Sequence, residues 1–287
     1  MSNLPSSHVA IGQVLASRFN GQRGTVAETR EALSMSDASP ASIIWSHFLL
    51  AASLEKVARS FSRRREDDGF CYLDTHAGAG RVPISGVVLD SVWQHREAFL
   101  NHAYFNALNY AGTEGRAAGS WVLASRVLAR SVDIFDEFEL DVNDIDPTLV
   151  GQIQSNREEG RIRLWSQDWF TFLRTRLNME KSTDFVFIDP PRDDPRGPKY
   201  AIEAALLLDA LSIPYLVTYP DRAPQDVINE IGRTVIECEH GDSCSGVILG
   251  GGAQSVLLSL LPDLRELAGI LGGQLSVRIP RNEDFTI

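Results

Sequence analysis

Two short apolar runs constrain the fold of this chain more than any other feature, because each has the length of a β-strand and ends in an acid and a tight turn. The first is Cys71–Asp74, which leads through Thr-His-Ala into Gly78-Ala79-Gly80. The second is Phe185–Asp189, which is followed at once by Pro190-Pro191. A Gly-x-Gly turn lets the backbone approach a ligand where a Cβ would collide. Two prolines stop a strand and remove two N–H donors, so carbonyls and one carboxylate remain at its tip. We therefore expect the two tips to form one ligand pocket.

The composition suits one large globular domain, with or without an insertion. The chain has 287 residues, of which 44% are hydrophobic and 23% are charged, and these are ordinary values for a soluble protein. No apolar run approaches the roughly 20 residues needed to cross a bilayer, and the N-terminus shows no secretory pattern. We therefore expect a cytoplasmic protein without a membrane partner, and we favour a monomer.

The cysteines predict neither a disulfide framework nor a metal centre. There are only three of them, and they are unevenly spaced. Cys238 and His240 with Cys244 resemble part of a metal site, but a fourth ligand and a Cys-x-x-Cys pair are missing.

The net charge of −11 disfavours nonspecific nucleic-acid binding, because such binding gains most of its affinity by neutralising phosphates. A local basic face stays open as an alternative, built from Arg63–Arg65 or from the arginines between residues 157 and 176.

Strand patterns and helix patterns alternate along most of the chain, which predicts an α/β, doubly wound, mostly parallel sheet with helices on both faces. Residues 1–40 are interpreted as an N-terminal arm and 41–287 as one domain. The predicted strands are Phe70–Asp74, a strand ending at Asp144, Arg161–Trp165, Asp184–Asp189, Ile213–Tyr219, Thr234–Glu239, Gly246–Leu249 and Gly273–Ile279. The predicted helices include Ser42–Phe61, Thr148–Asn156, Trp169–Leu177, Ala201–Leu211, Ala223–Gly232 and Ser255–Gly269.

A helical insertion is predicted after the first strand, over about residues 82–131. In dinucleotide-binding folds an acid that takes ribose hydroxyls follows the glycine turn by about 20 residues. The best candidate here is Asp144, at about three times that spacing. The excess carries helical patterns at Val92–Asn109 and Trp121–Leu128.

The Asp-x-x-Ala-Gly-x-Gly turn with a distant Asp-Pro-Pro resembles the S-adenosylmethionine-dependent amino-methyltransferases. Within them the chain resembles the RlmJ family, bacterial enzymes that methylate adenine N6 in large-subunit ribosomal RNA. The segment Tyr72–Gly80 reads Y-L-D-T-H-A-G-A-G and matches that family's motif closely. Further similar segments follow in the same order, from about His47 to Leu271: Ala118-Gly119-Ser120, Asn143–Pro147, Asp168-Trp169, Ile188–Pro191, Tyr219-Pro220 and Cys244-Ser245-Gly246.

The resemblance implies a Rossmann-like class I methyltransferase with S-adenosyl-L-methionine as cofactor and RNA, of ribosomal type, as substrate. Asp189 would accept from the target amine as the catalytic residue, with the Pro190 carbonyl beside it and Arg192 as a platform for the base. His76, Gly78 and Gly80 would line the methionine and ribose part of the cofactor, and Asp168 would bind its adenine. The remaining cofactor-binding candidates are His47, Asp74, Ser120, Asp144 and Asp189 itself.

Three departures from the family pattern concern the methyl acceptor. The aromatic residue usual after Asp-Pro-Pro is Arg192, a later Asn-Pro-Pro is replaced by Gly250-Gly251-Gly252, and the segment before His47 differs. Two alternatives therefore stay open: methylation of a small molecule or a protein, and a cofactor-binding protein that has lost methyl transfer. A nicotinamide-dependent dehydrogenase is disfavoured because Gly78-x-Gly80 lacks a third glycine.

Overall fold

The computed structural model describes residues 39–61, 69–84, 86–108, 116–131, 137–153, 160–179, 182–191, 194, 197–219, 225–240 and 243–281. The expected N-terminal arm, apart from its last two residues, and Arg63–Arg65 lie outside the described residues. The helices are α1 (Pro40–Phe61), α2 (Gly86–Gln94), α3 (Ala103–Leu108), α4 (Ser120–Ala129), α5 (Pro147–Ile153), α6 (Trp169–Leu177), α7 (Gly197–Ala210), α8 (Gln225–Ile231) and α9 (Leu257–Ile270). The strands are β1 (Phe70–Asp74), β2 (Arg81–Pro83), β3 (Arg116–Ala118), β4 (Phe138–Asn143), β5 (Arg161–Trp165), β6 (Phe185–Ile188), β7 (Tyr215–Tyr219), β8 (Val235–His240), β9 (Ser243–Gly250) and β10 (Gln274–Arg278).

An eight-stranded sheet with the order β10-β8-β9-β7-β6-β1-β4-β5 forms the centre of the protein. The pairings from β5 to β7 are parallel, and the closing strands β9, β8 and β10 pair antiparallel. The predicted α/β class with a large, mostly parallel sheet is confirmed.

Both faces of the sheet are covered, which explains why β1 and β6 read as continuous apolar runs rather than alternating ones. Every residue of these two strands is buried. Tyr72 and Phe187 belong to a core that includes α1, α4 and α9, whereas Leu73 and Ile188 belong to a second core with α6 and α7. Alternate side chains of each strand therefore pack into two different cores, one on each face of the sheet.

The segment between β1 and β4 differs in detail from the sequence prediction. The expected helix Val92–Asn109 is wrong as one element, because α2 ends at Gln94 and α3 begins at Ala103. Between them Asn101 has a left-handed φ of 61°, and the backbone N–H of Tyr104 donates to the His102 ring. The short strands β2 and β3 pair antiparallel with each other. The sequence analysis did not predict them, because three residues are too few to show a strand pattern.

The chain order creates a switch point between β1 and β6. From β1 the chain continues outward to β4 and β5, and it then returns to build β6 and β7 on the other side. In open α/β sheets ligands bind outside the carboxyl ends of the strands at such a point. No helix within the described ranges is long and apolar enough to span a bilayer.

Candidate functional site

The two strand tips singled out in the sequence lie side by side at one edge of the sheet. β1 and β6 are hydrogen-bonded parallel neighbours, with Asp74 in register with Phe187. Immediately beyond β1, the Thr75 N–H donates to the Phe187 carbonyl at 3.1 Å. The glycine turn and Asp189 therefore emerge from neighbouring strands at the switch point.

The glycine turn needs both of its glycines, for different reasons. Gly78 has φ +57°, and a Cβ built on it would meet no atom within 4 Å. Gly80 has φ +80°, and its Cβ would fall 2.5 Å from the Trp121 ring. The turn is thus open at Gly78, where a ligand can approach, and tightly packed at Gly80.

Asp144 holds the turn from the neighbouring strand. Its carboxylate accepts the Gly78 N–H at 3.0 Å and the Asp146 N–H at 2.9 Å, one on each oxygen. Burial raises the pKa of Asp144, although these two donors oppose the shift. A carboxylate oxygen can accept a second hydrogen bond, so the arrangement is compatible with ribose hydroxyls as further donors.

Asn143 is a structural residue of the site that the sequence analysis did not find. Its side-chain amide donates to the carbonyls of Thr75 and Gln167 at 3.1 Å each, and its oxygen accepts the Gln167 N–H at 3.0 Å. The Ala77 N–H donates to the Asn143 backbone carbonyl. Asn143 therefore joins the loops that follow β1 and β5. No local signal marked it, because this strand alternates apolar residues with Glu139, Asp141 and Asn143.

Asp74 is fully buried and accepts three hydrogen bonds. The Ser120 hydroxyl donates at 2.6 Å, the Tyr72 hydroxyl at 3.2 Å and the His76 N–H at 3.2 Å. Burial raises the pKa of Asp74 to about 7, and the charge of Asp189 adds to that shift. Ser120, predicted to contact the cofactor, instead directs its hydroxyl at Asp74 in this structure.

Asp189 is partly exposed and has one hydrogen-bond donor among the described residues. The Thr218 hydroxyl, on β7, donates to its Oδ1. Burial raises the pKa of Asp189, and the Thr218 hydrogen bond opposes that shift. Pro190 is buried directly after it. Arg192 lies outside the described residues.

The two histidines predicted at the site are neutral for the same physical reason. Burial lowers the pKa of His47 to about 4 and that of His76 to about 3. The His47 ring meets Phe187 edge-on at 6.4 Å between centroids, and the His76 ring lies 5.4 Å from that of Trp169. The Thr75 hydroxyl donates its one proton to the Phe187 carbonyl. Nδ1 of His76, 2.8 Å from the Thr75 oxygen, is therefore the donor to that oxygen. Nε2 of His76 is then an acceptor.

Asp168 caps helix α6. Its Oδ1 accepts the backbone N–H and the hydroxyl of Thr171, at 3.0 and 3.1 Å. This is the usual role of an Asp at a helix N-terminus, and it places the carboxylate in the loop after β5, directly after Gln167, whose backbone Asn143 binds.

The electrostatics of the site favour a cationic ligand. Asp74 and Asp189 form no ion pair with any arginine, lysine or histidine in the described part of the chain. A fully buried carboxylate such as Asp74 usually has such a partner. The described residues contain no group of three or more His, Cys, Asp or Glu side chains arranged for a metal ion.

The departure at Gly250-Gly251-Gly252 lies at the other end of the sheet. Gly250 is in register with Tyr215 at the start of β7, whereas Asp189 lies near the end of that strand. A Cβ on Gly251 would fall 1.8 Å from the Ile213 carbonyl oxygen. Gly251 therefore allows a close backbone approach at the end of the sheet away from the candidate site.

Comparison with known proteins points to one functional class. The chain is 31% identical over 144 residues to ribosomal RNA large subunit methyltransferase J of Escherichia coli. The match covers 45% of this chain and 50% of that protein, so it spans about half of the relative's length. This similarity supports a methyltransferase family.

The fold also matches a solved structure. The crystal structure of protein LPL1258 from Legionella pneumophila superposes with a TM-score of 0.64 and 16% identity, over 86% of this chain and 99% of that one. The likeness shows the fold. No family model matches the sequence.

Proposed function

We propose that this protein is an S-adenosylmethionine-dependent methyltransferase of the RlmJ type, which transfers methyl to an adenine N6 amine in RNA of ribosomal type. The observation that carries the proposal is the pair Asp74 and Asp189, carboxylates at neighbouring strand tips without a cationic partner among the described residues. A cofactor that carries a sulfonium and an ammonium group supplies the missing positive charge. The partial similarity to an rRNA methyltransferase supports the same class.

The residues present fit that cofactor. The open side of Gly78 gives its backbone room to approach a ligand, and Asp144 lies beside it as an acceptor for the ribose hydroxyls. Asp168 is proposed to accept from the adenine amino group, and His76 offers an acceptor nitrogen nearby. The other proposed cofactor contacts are His47, Asp74, Gly80, Ser120 and Asp189.

The proposed chemistry depends on the Asp189 carboxylate and the Pro190 carbonyl. An exocyclic purine amine is a poor nucleophile, because its lone pair is delocalised into the ring. Two acceptors that each bind one N–H orient the lone pair and stabilise the positive charge that develops on nitrogen. When bound, the cofactor supplies an electrophilic methyl group: the N–C bond forms, and the electron pair of the broken C–S bond stays on sulfur. The nitrogen then loses a proton, for which the ionised Asp189 is the nearest base.

A second candidate acceptor is an amine on a small molecule or a protein. The net charge of −11 favours it, because a polyanionic substrate is repelled by an acidic protein.

For an RNA acceptor, the target base in a loop is splayed out directly, whereas in a duplex it has to leave the stack first.

Incubation with tritiated S-adenosylmethionine distinguishes these acceptors. Total RNA, total protein and a metabolite extract serve as separate substrates, and D189N serves as the inactive control. Label in RNA that D189N does not produce supports the RNA proposal, and digestion to nucleosides tests for N6-methyladenosine. Label confined to protein or metabolites supports the second candidate. Cofactor binding without any label would contradict both and favour a binding protein that has lost methyl transfer.

A further inference from the structure

We propose that Thr218 is a positioning residue that fixes the orientation of the Asp189 carboxylate for amine binding. The inference rests on the proposed methyl transfer, and it assigns a role to a residue outside both sequence motifs.

The strand register brings the two side chains together. β6 and β7 are parallel neighbours in which Ile188 is in register with Val217. The next residues along the two strands are Asp189 and Thr218, so their side chains point to the same face of the sheet. Thr218 is buried, at 8% exposure, and its β-branched side chain has few rotamers. The hydroxyl is therefore held in a defined place beside the carboxylate.

The hydrogen bond has a direction that matters for function. A hydroxyl has one proton to donate, and Thr218 gives it to Oδ1 of Asp189. Among the described residues it is the only hydrogen-bond donor to that carboxylate. The bond occupies one oxygen, limits rotation of the carboxylate plane and leaves Oδ2 for a substrate N–H. An acceptor misplaced by about 1 Å costs roughly 100-fold in rate.

The described charged and titratable groups around Asp189 do not replace this hydrogen bond. Asp74 and Tyr72 face it from β1, and neither is a cation. From α1, His47 packs on Phe187 and is neutral because burial lowers its pKa. Among the described residues, Thr218 is thus the group that stabilises the ionised form of Asp189 against the cost of burial.

The test compares T218V with T218S and with the wild type. T218V keeps the shape of the side chain and removes the donor, whereas T218S keeps the donor. T183V is the matched control, because the Thr183 hydroxyl is buried without a hydrogen-bond partner and precedes the opposite end of β6.

The first readout is the titration midpoint of the Asp189 carboxyl group. It is measured from carboxyl ¹³C chemical shifts of aspartate-labelled protein, and the Asp189 signal is identified by its absence in D189N. Loss of the donor removes a stabilisation of the charged form, so the midpoint rises in T218V and stays at the wild-type value in T218S and T183V. This readout does not need enzymatic activity. It therefore tests Thr218 even if the wild type transfers no methyl group.

The second readout is transfer. We expect T218V to lower turnover by roughly 10- to 100-fold, with cofactor affinity within about twofold, and T218S to restore most of the rate. The rising limb of the pH–rate profile should move to higher pH in T218V, because Asp189 must be ionised to accept. An unchanged Asp189 midpoint in T218V would overturn the proposal. If T218V does not fold, T218A replaces it, and an Asp189 midpoint equal in T218A and T218S overturns the proposal in the same way.

Discussion

The carboxylates of Asp74 and Asp189 lie at the ends of two hydrogen-bonded parallel strands. Burial raises the pKa of Asp74, and the charge of Asp189 adds to that shift. Such a pair resists ionisation until a positive charge arrives. The two sequence motifs therefore interact electrostatically at one site.

Asp74 should make the folded state less stable as the pH rises. Its pKa is about 7 in the fold and 3.8 ordinarily, so the folded protein binds a proton that the unfolded chain has lost. The stabilisation is complete below about pH 4 and disappears as the pH rises through about 7. We expect the stability of the wild type relative to D74N to fall across this window.

Urea unfolding of both proteins from about pH 4 to about pH 8 measures this difference. The comparison cancels contributions from the buried histidines, which both proteins share. A stability difference that does not change with pH would show that Asp74 stays ionised in the fold.

Asp144 should determine cofactor affinity through the turn that it holds. D144A removes the acceptor of the Gly78 N–H and the proposed acceptor of the ribose hydroxyls. Hydrogen bonds to a charged group contribute about 1.5–3 kcal/mol, so affinity for S-adenosylhomocysteine should fall by roughly 10- to 100-fold. Isothermal titration calorimetry measures the change.

The matched control is D146A. Asp146 is exposed, and its side chain binds Thr148 at the start of α5, while its backbone N–H to Asp144 remains in the variant. The affinity of D146A for S-adenosylhomocysteine should stay close to that of the wild type. Equal losses in D144A and D146A would mean that general disturbance of the loop, not the Asp144 carboxylate, causes the effect.

The two glycines of the turn should respond differently to alanine. Both have positive φ, which costs a non-glycine residue about 1–2 kcal/mol. Only in G80A does the new methyl group also meet the Trp121 ring, at 2.5 Å. We expect G80A to lose clearly more unfolding free energy than G78A, measured by chemical denaturation. G78A should instead lose ligand affinity, because its methyl group projects into the open side of the turn.

Asn143 should contribute strongly to stability although it touches no proposed substrate. N143A leaves the buried Thr75 carbonyl and the partly buried carbonyl and N–H of Gln167 without their partner. Each unpaired buried group costs about 1–3 kcal/mol, so a loss of roughly 3 kcal/mol or more is expected in urea unfolding. N178A is the control, because the Asn178 amide bonds to Arg174 at an exposed helix end, and its loss should be below about 1 kcal/mol.

Much of the fold was accessible to sequence analysis because its signals are local. Apolar runs such as Cys71–Leu73 and Phe185–Ile188 indicate strands buried on both faces, and glycine or proline after an acid indicates where each strand ends. The helix expected over Val92–Asn109 failed because the chain leaves the helical path after Gln94 and then turns at Asn101, a left-handed residue. Such a residue leaves no periodic signal.

The chain by itself determined that Asp74 and Asp189 end buried strands and that glycine and proline turns follow them. These outcomes depend on side-chain volume, backbone freedom and missing N–H donors within a few residues. Only the tertiary structure decided that β1 and β6 are neighbours, that Asn143 joins two loops, and that Thr218 binds Asp189. Those contacts link residues from 24 to 112 positions apart, and strand register, which no local pattern encodes, brings them within hydrogen-bonding distance.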